Sequence, residues 1–129
     1  MWIEQAIGQY LQAEFAIPTW GSIVPDKTSP PYCVYDVVST TEQHTHDGPS
    51  TLVRCRMQFA HFGATKEQAK SSARQLRFLL NGHRGLTYGL RIWWVLWDNE
   101  RDLYGPNTTM YQVVQDYIMF YEDYEEEEE

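Results

Sequence analysis

The sequence predicts an α+β fold: a two-layer sandwich of a four-stranded antiparallel sheet with two helices on one face, in the order α-β-β-α-β-β. Three observations carry that expectation. Two stretches repeat apolar residues at helical spacing, Trp2, Ile3, Ala6, Ile7, Tyr10 and Leu11 in the first and Ala69, Ala73, Leu76, Leu79 and Leu80 in the second. Four other stretches are dense in β-branched and aromatic residues, the composition that suits a pleated, half-buried surface. Polar segments rich in Gly, Pro, Asn and Asp separate the strands within each pair, as antiparallel hairpins require.

The first helix should stop before Pro18, because proline lacks an amide donor and clashes with the preceding turn. Residues 18–31 contain Pro18, Gly21, Pro25, Pro30 and Pro31 and read as a loop with a short extended piece at Ile23 and Val24. Residues 32–40 form the first strand, with Cys33, Tyr35 and Val37 on one side and Val34, Asp36 and Val38 on the other. Residues 41–50, Thr-Glu-Gln-His-Thr-His-Asp-Gly-Pro-Ser, hold no large apolar group and read as a protruding, mobile hairpin loop. The second strand, residues 51–60, alternates cleanly: Val53, Cys55, Met57 and Phe59 share one face, Leu52, Arg54, Arg56 and Gln58 the other.

Thr65 then offers a hydroxyl to an early amide of the second helix, and Gln68 stands where a capping box needs it. Asn81-Gly82 supplies a stop. The third strand, residues 88–97, is expected to turn Leu90, Ile92, Trp94 and Leu96 to the core and Arg91, Trp93, Val95 and Trp97 outward. After a polar turn region at 98–107, residues 108–121 make the last strand. Its two faces carry Met110, Gln112, Val114, Asp116, Ile118 and Phe120, and Tyr111, Val113, Gln115, Tyr117, Met119 and Tyr121. Strands that are apolar on both sides exceed what two helices on one face can cover. The excess points to subunit contacts, with Trp93, Val95, Trp97, Tyr111, Val113 and Tyr117 as interface candidates; the alternative is a sheet that curls over its own second face.

The chain has 129 residues, 43% of them hydrophobic and 15% aromatic, which suits one globular domain and excludes general disorder. Two cysteines build no disulfide framework. No apolar run approaches the ~20 residues that span a bilayer, and the N-terminus does not read as a secretory signal, so the expected setting is cytoplasmic. The net charge is −8, but seven of the 18 acidic residues are Glu122, Asp123 and the run from Glu125 to Glu129, which leaves 11 acids against 10 Lys and Arg. The expected division is therefore a near-neutral domain at 1–121 and a disordered acidic segment at 122–129.

No residue pattern points to catalysis. The phosphate-binding, dinucleotide-binding, metalloprotease and nucleophile-elbow patterns are all missing from the sequence. His44, His46 and Asp47 cluster, but no further ligand follows at a metal-binding spacing; they are better read as part of an assembly loop. Arg54 and Arg56 share a strand face. Two cations are too few for a nucleic-acid footprint, and ion pairing across a neighbouring strand or subunit is the expected role. No cofactor and no catalytic or metal residue is expected.

Pro30-Pro31-Tyr32-Cys33-Val34-Tyr35, the polar segment, Val53-Arg54-Cys55-Arg56-Met57-Gln58-Phe59-Ala60 and then Ala64-Thr65-Lys66-Glu67-Gln68-Ala69 follow one another in an order that resembles the tail completion proteins of long-tailed bacteriophages, the tail-to-head joining and tail terminator group. The resemblance implies a non-catalytic virion protein of the tail or neck, made in the host cytoplasm. It implies a hexameric ring that caps the tail tube, meets the tube protein and the head connector or neck protein, and lets DNA pass through its lumen without sequence-specific binding or contact with a membrane. Cys33, Cys55, the Trp93-Trp94-x-x-Trp97 cluster and the poly-Glu end depart from that family's usual pattern. A small adaptor or regulatory binding module of the same α+β type is the competing reading.

Overall fold

The computed structural model describes residues 2–25, 28–45, 48–103 and 110–122, with the backbone alone over 42–51. The elements are α1 (Ile3–Glu14), β1 (Thr19–Gly21), β2 (Tyr32–Thr45), β3 (Gly48–Gly63), α2 (Lys66–Leu80), β4 (Gly85–Thr87), β5 (Leu90–Leu103) and β6 (Tyr111–Glu122). Both helices begin on side-chain caps. Gln5 Oε1 accepts from the Trp2 amide at 3.0 Å, and Thr65 Oγ1 accepts from the Gln68 amide at 3.1 Å. The Gln68 side chain reaches back one residue further than a capping box, to the Ala64 amide at 2.7 Å. α2 ends where the Asn81 amide donates to the Arg77 carbonyl at 2.9 Å, and Gly82 follows at a φ of +83°, a conformation that glycine adopts without a Cβ clash.

The sheet corrects the expected four-stranded sandwich. It has six strands in the order β1-β2-β3-β6-β5-β4, is mixed because β1 runs parallel to β2, and curls into a half-barrel with the two helices. The two additional strands are three residues each, too short for a period-2 pattern to show. β1 also lies at Thr19–Gly21, not at the extended piece expected at Ile23 and Val24. The central strands β3 and β6 are antiparallel and paired from Leu52↔Glu122 to Gly63↔Tyr111. Curling covers part of the second face, which is why Val114, Asp116 and Ile118 are buried as well as Val113, Gln115 and Tyr117.

The expected mobile loop at 41–50 is largely a strand ladder. β2 continues to Thr45 and β3 starts at Gly48, with Glu42↔Val53, His44↔Pro49 and Thr45↔Gly48 in register. A two-stranded ribbon has no core to face, so it needs no apolar alternation and escapes a pattern search. Its inner ends pass the last paired residue of β6, Glu122 opposite Leu52. Residues 42–45 and 48–51 thus form an arm roughly 13 Å long at the usual strand rise. The polar region after Trp97 is likewise strand as far as Leu103.

The helix-covered face holds the core: Ile3, Ile7 and Leu11 of α1, Leu76 and Leu80 of α2, and Cys33, Val53, Cys55, Met57, Phe59, Ile92, Val95, Tyr117 and Met119 of the sheet. Phe59 and Tyr117 meet edge to face at 5.4 Å, a favoured aromatic geometry. Gly63 lets β3 run close under α2, since a Cβ there would lie 2.6 Å from the Ala69 backbone nitrogen.

Candidate assembly surface

The register of the ladders sorts the strand side chains into two sets. On the helix-covered face one row runs Val37–Met57–Tyr117–Trp97 and the next Thr40–Cys55–Met119–Val95. On the helix-free face the rows run Asp36–Gln58–Asp116–Asn99, Ser39–Arg56–Ile118–Leu96 and Thr41–Arg54–Phe120–Trp94. Two register shifts in β5, between Ile92 and Trp94 and between Trp97 and Asn99, set this pattern. Each inserts an extra residue and inverts the side-chain alternation that follows.

The first shift corrects the expected facing of β5. Leu90 and Ile92 are buried as expected, but beyond the bulge Val95 takes the inward place at 0% exposure, while Trp94 and Leu96 are each 40% exposed. Of the six interface candidates, Val95, Val113 and Tyr117 belong to the core. Tyr111 packs beside Ala69, Ala73 and Val113 beneath α2. Trp97 lies in the inner row and carries the Arg77 guanidinium of α2 4.8 Å above its ring. Trp93, 53% exposed, stands at the bulge and joins the helix-free face. Sequence reasoning missed Trp94, Leu96 and Phe120 as surface groups on that face. Alternation separates two faces but does not say which one the helices cover, and nothing in the residues marks the bulge.

Arg56 has partners within its own chain. Its guanidinium lies 2.8 Å from Asp98 Oδ2 and 3.5 Å from Asp116 Oδ2, and Arg101 reaches the same Asp116 oxygen at 3.3 Å. Gln58 Nε2 donates to Asp116 Oδ1 at 3.3 Å. Asp116 is thus nearly enclosed on a face without a helix, and its charge is met by two guanidiniums. Arg54 pairs in register with Thr41 and Phe120. At the end where β6 leaves the sheet, Trp93 Nε1 donates to Glu122 Oε1 at 2.9 Å, Arg91 Nε lies 4.0 Å from Glu122 Oε2, and Arg84 stands 5.8 Å over the Trp94 ring. Glu122, assigned by sequence to the acidic segment, is the last residue of β6. His44 lies in the β2 part of the arm; His46 and Asp47 lie outside the described residues.

The other concentration of polar groups is internal. Gln115 Nε2 donates to the Ala73 carbonyl at 3.0 Å and to Glu100 Oε1 at 2.6 Å. Gln115 Oε1 is therefore the acceptor, taking a bond from the Tyr117 hydroxyl at 3.1 Å and from His61 Nε2 at 2.8 Å. His61 then carries its proton on Nε2, and Nδ1 accepts from Ser72 Oγ at 2.7 Å. Burial lowers the His61 pKa from 6.5 to about 4, partly opposed by the bond to Gln115. The ring is neutral, fully buried and satisfied at both nitrogens, which makes it a tie between α2 and β3–β6 and leaves it without access to a substrate. Cys33 and Cys55 are free thiols; burial raises both, Cys55 to about 12, which suppresses the reactive thiolate. Among the described residues, no three His, Cys, Asp or Glu side chains converge on a point that would hold a metal, and no helix is long and apolar enough to cross a membrane.

No protein-family model and no curated protein matches the sequence. Solved structures that share the fold include two that are similar over nearly the whole chain. One is a chain of the virion of a native gene transfer agent (GTA) particle, similar over 93% of this chain and 94% of that one with a TM-score of 0.78 at 12% identity. The other is similar over 95% of this chain and 92% of its own, with a TM-score of 0.56 at 17% identity. The curled sheet with two helices is therefore a fold that a virion subunit also adopts, over nearly the full length of both chains.

Proposed function

We propose that this protein is a non-catalytic structural subunit of a phage-type particle, placed in the tail or neck. It assembles there as a closed homo-oligomeric ring, hexameric as in the tail completion proteins that its sequence resembles. In this reading the ring caps the tail tube, contacts the tube protein and the head connector or neck protein, and surrounds the path of the DNA. The observation that carries the reading is the fold shared end to end with a subunit of a GTA virion. Two features of the chain support it. The helix-free face exposes Trp93, Trp94 and Leu96, apolar area that a monomer gains nothing by displaying. The arm at 42–45 and 48–51 extends past β6, where a neighbouring subunit can grasp it. A ring needs two different patches on each subunit, and the face and the arm are such a pair.

The test is electron cryomicroscopy of assembled particles that contain this protein. Ring-like density at the end of the tail tube, with one copy per ring position and the arm contacting a neighbour, is expected. An isolated monomer or dimer in the particle would overturn the proposal.

A further inference from the structure

We propose that the groove beside β2, where β1 stops short, receives a short extended segment of a partner protein, held by strand pairing and by one arginine that bonds Glu4. The site lies within one subunit, so the inference stands apart from the ring. β1 pairs with β2 only from Thr19↔Cys33 to Gly21↔Tyr35. Ser22 then takes a φ of +61°, and the Ile23 amide donates to the Gly21 carbonyl at 2.6 Å, a tight turn that ends the ladder. Across this edge the Cys33 amide donates to the Pro18 carbonyl at 2.9 Å, and the Tyr35 carbonyl accepts from the Ser22 amide at 3.0 Å. Val37 lies two residues further on, ahead of the register shift that follows it. The alternation of an extended strand turns its amide and carbonyl to the same side, where β1 no longer runs. The shift after Val37 keeps the free edge short, so a segment of a few residues fills it.

Beside that edge is a groove of about 600 Å³ between the start of α1 and β2, lined by Trp2, Glu4, Ser22, Tyr35, Asp36 and Val37 among others. Its chemistry asks for a cation. Glu4 Oε2 is buried and has no hydrogen-bond partner, a state that costs stability until a donor arrives. Ser22 Oγ donates to Asp36 Oδ1 and holds a second carboxylate at the groove. No Lys or Arg is among its described lining residues. Trp2 stands at the rim, 72% exposed. A guanidinium is planar and carries five donors, so it can stack on an indole and bond a carboxylate together, which the ammonium of lysine does less well. The chain makes the same stack elsewhere, with Arg77 over Trp97 and Arg84 over Trp94. A second copy does not supply the arginine in the right form. Its described Lys and Arg residues lie on α2, within β3 and β5, or in the turn after α2, and none is on a free extended segment. The occupant is therefore a strand of another protein, added to the edge of the sheet and anchored by its arginine.

The test titrates the full-length, nitrogen-labelled protein with the blocked peptide Thr-Val-Arg-Val-Thr, up to millimolar concentration, and follows it by nuclear magnetic resonance. The Trp2 indole and the Gly21 and Val37 amides should shift, while the Trp93 and Trp94 indoles on the other side of the sheet stay in place. Replacing the peptide's arginine with citrulline, which keeps the shape and removes the charge, should weaken binding by about tenfold or more. Methylating the peptide's valine nitrogens should abolish it, because a strand added to an edge needs those donors. E4Q should bind the arginine and citrulline peptides with nearly equal affinity. Unmoved Trp2 and Val37 signals at millimolar peptide would overturn the proposal. So would equal binding of the arginine and citrulline peptides by the native protein, a comparison that needs no variant to fold. Trp2 and Val37 signals that shift on simple dilution of the protein would also overturn it, by showing that a second copy fills the groove.

Discussion

On the helix-covered face Met57, Phe59, Tyr117 and Met119 have no measurable exposure, and the one histidine among them is held neutral by bonds at both ring nitrogens. One strand pleat away, on the opposite face, Arg56, Arg101 and Asp116 form an ion network and Trp93, Trp94 and Leu96 stand open. The same four long strands build both faces. The difference is what each face has been given to meet: the first meets two helices from its own chain, and the second meets only the reach of its own side chains. Apolar burial of about 25 cal/mol per Å² is spent inside on folding, whereas the exposed aromatic area outside is still available to a partner. Mutations on the two faces should therefore act on different quantities.

The largest effect is expected at Phe59. Replacing it with Ala leaves a cavity against Tyr117 at the centre of the covered face and should cost about 3–5 kcal/mol of stability, read by denaturant unfolding. A loss below about 1 kcal/mol would show that this face is not the packed one.

The second effect is a pH dependence. The unfolded His61 protonates near 6.5, the folded one near 4, so between those values the unfolded state binds more protons. Stability should be fully present above pH 6.5 and fall as the pH drops toward 4, by roughly 3 kcal/mol in total. His61→Gln, which can still donate to Gln115 and accept from Ser72, should flatten that part of the profile. An unchanged slope in the variant would remove His61 as its source.

Asp116 tests the other face. Asp116→Asn keeps the shape but removes the charge that faces Arg56 and Arg101, and should cost about 1–2 kcal/mol. Smaller still, Trp94→Ser with Leu96→Ser should change stability by no more than about 0.5 kcal/mol, with thermal unfolding as the check, while weakening assembly. A large loss of stability in that pair would mean that these side chains serve the fold.

The covered face was the legible one. Of the two helical stripes, Ile3, Ala6, Ile7, Leu11 and Ala69, Ala73, Leu76, Leu80 are buried as their spacing implies, Tyr10 and Leu79 are half-buried, and Trp2, which precedes the first turn of α1, is exposed instead; Val53, Cys55, Met57 and Phe59 face the core together. Thr65 and Asn81 bound α2 as capping chemistry requires. The helix-free face was not legible, for reasons particular to it. β6 lies between β3 and β5 in a curled sheet and is buried on both sides, so its alternation of large residues distinguishes no inside. β5 has the Trp93-Trp94 bulge, which moves Val95 into the core and Leu96 out of it with no change of residue type to announce the switch. β1 and β4 are three residues long, and the arm has no apolar side to read. Surface Trp and Leu look like core residues in a sequence, and only the register of their neighbours shows otherwise.

The central claim is that the helix-free face, with the arm, is what the particle uses. Oxidative footprinting by mass spectrometry, on the free protein and on the same protein in assembled particles, compares the faces within one molecule. Trp93, Trp94 and Leu96 should be modified in the free subunit and protected in the particle, while the buried Met57 and Met119 stay unmodified in both. Equal modification of Trp93, Trp94 and Leu96 before and after assembly would contradict the account.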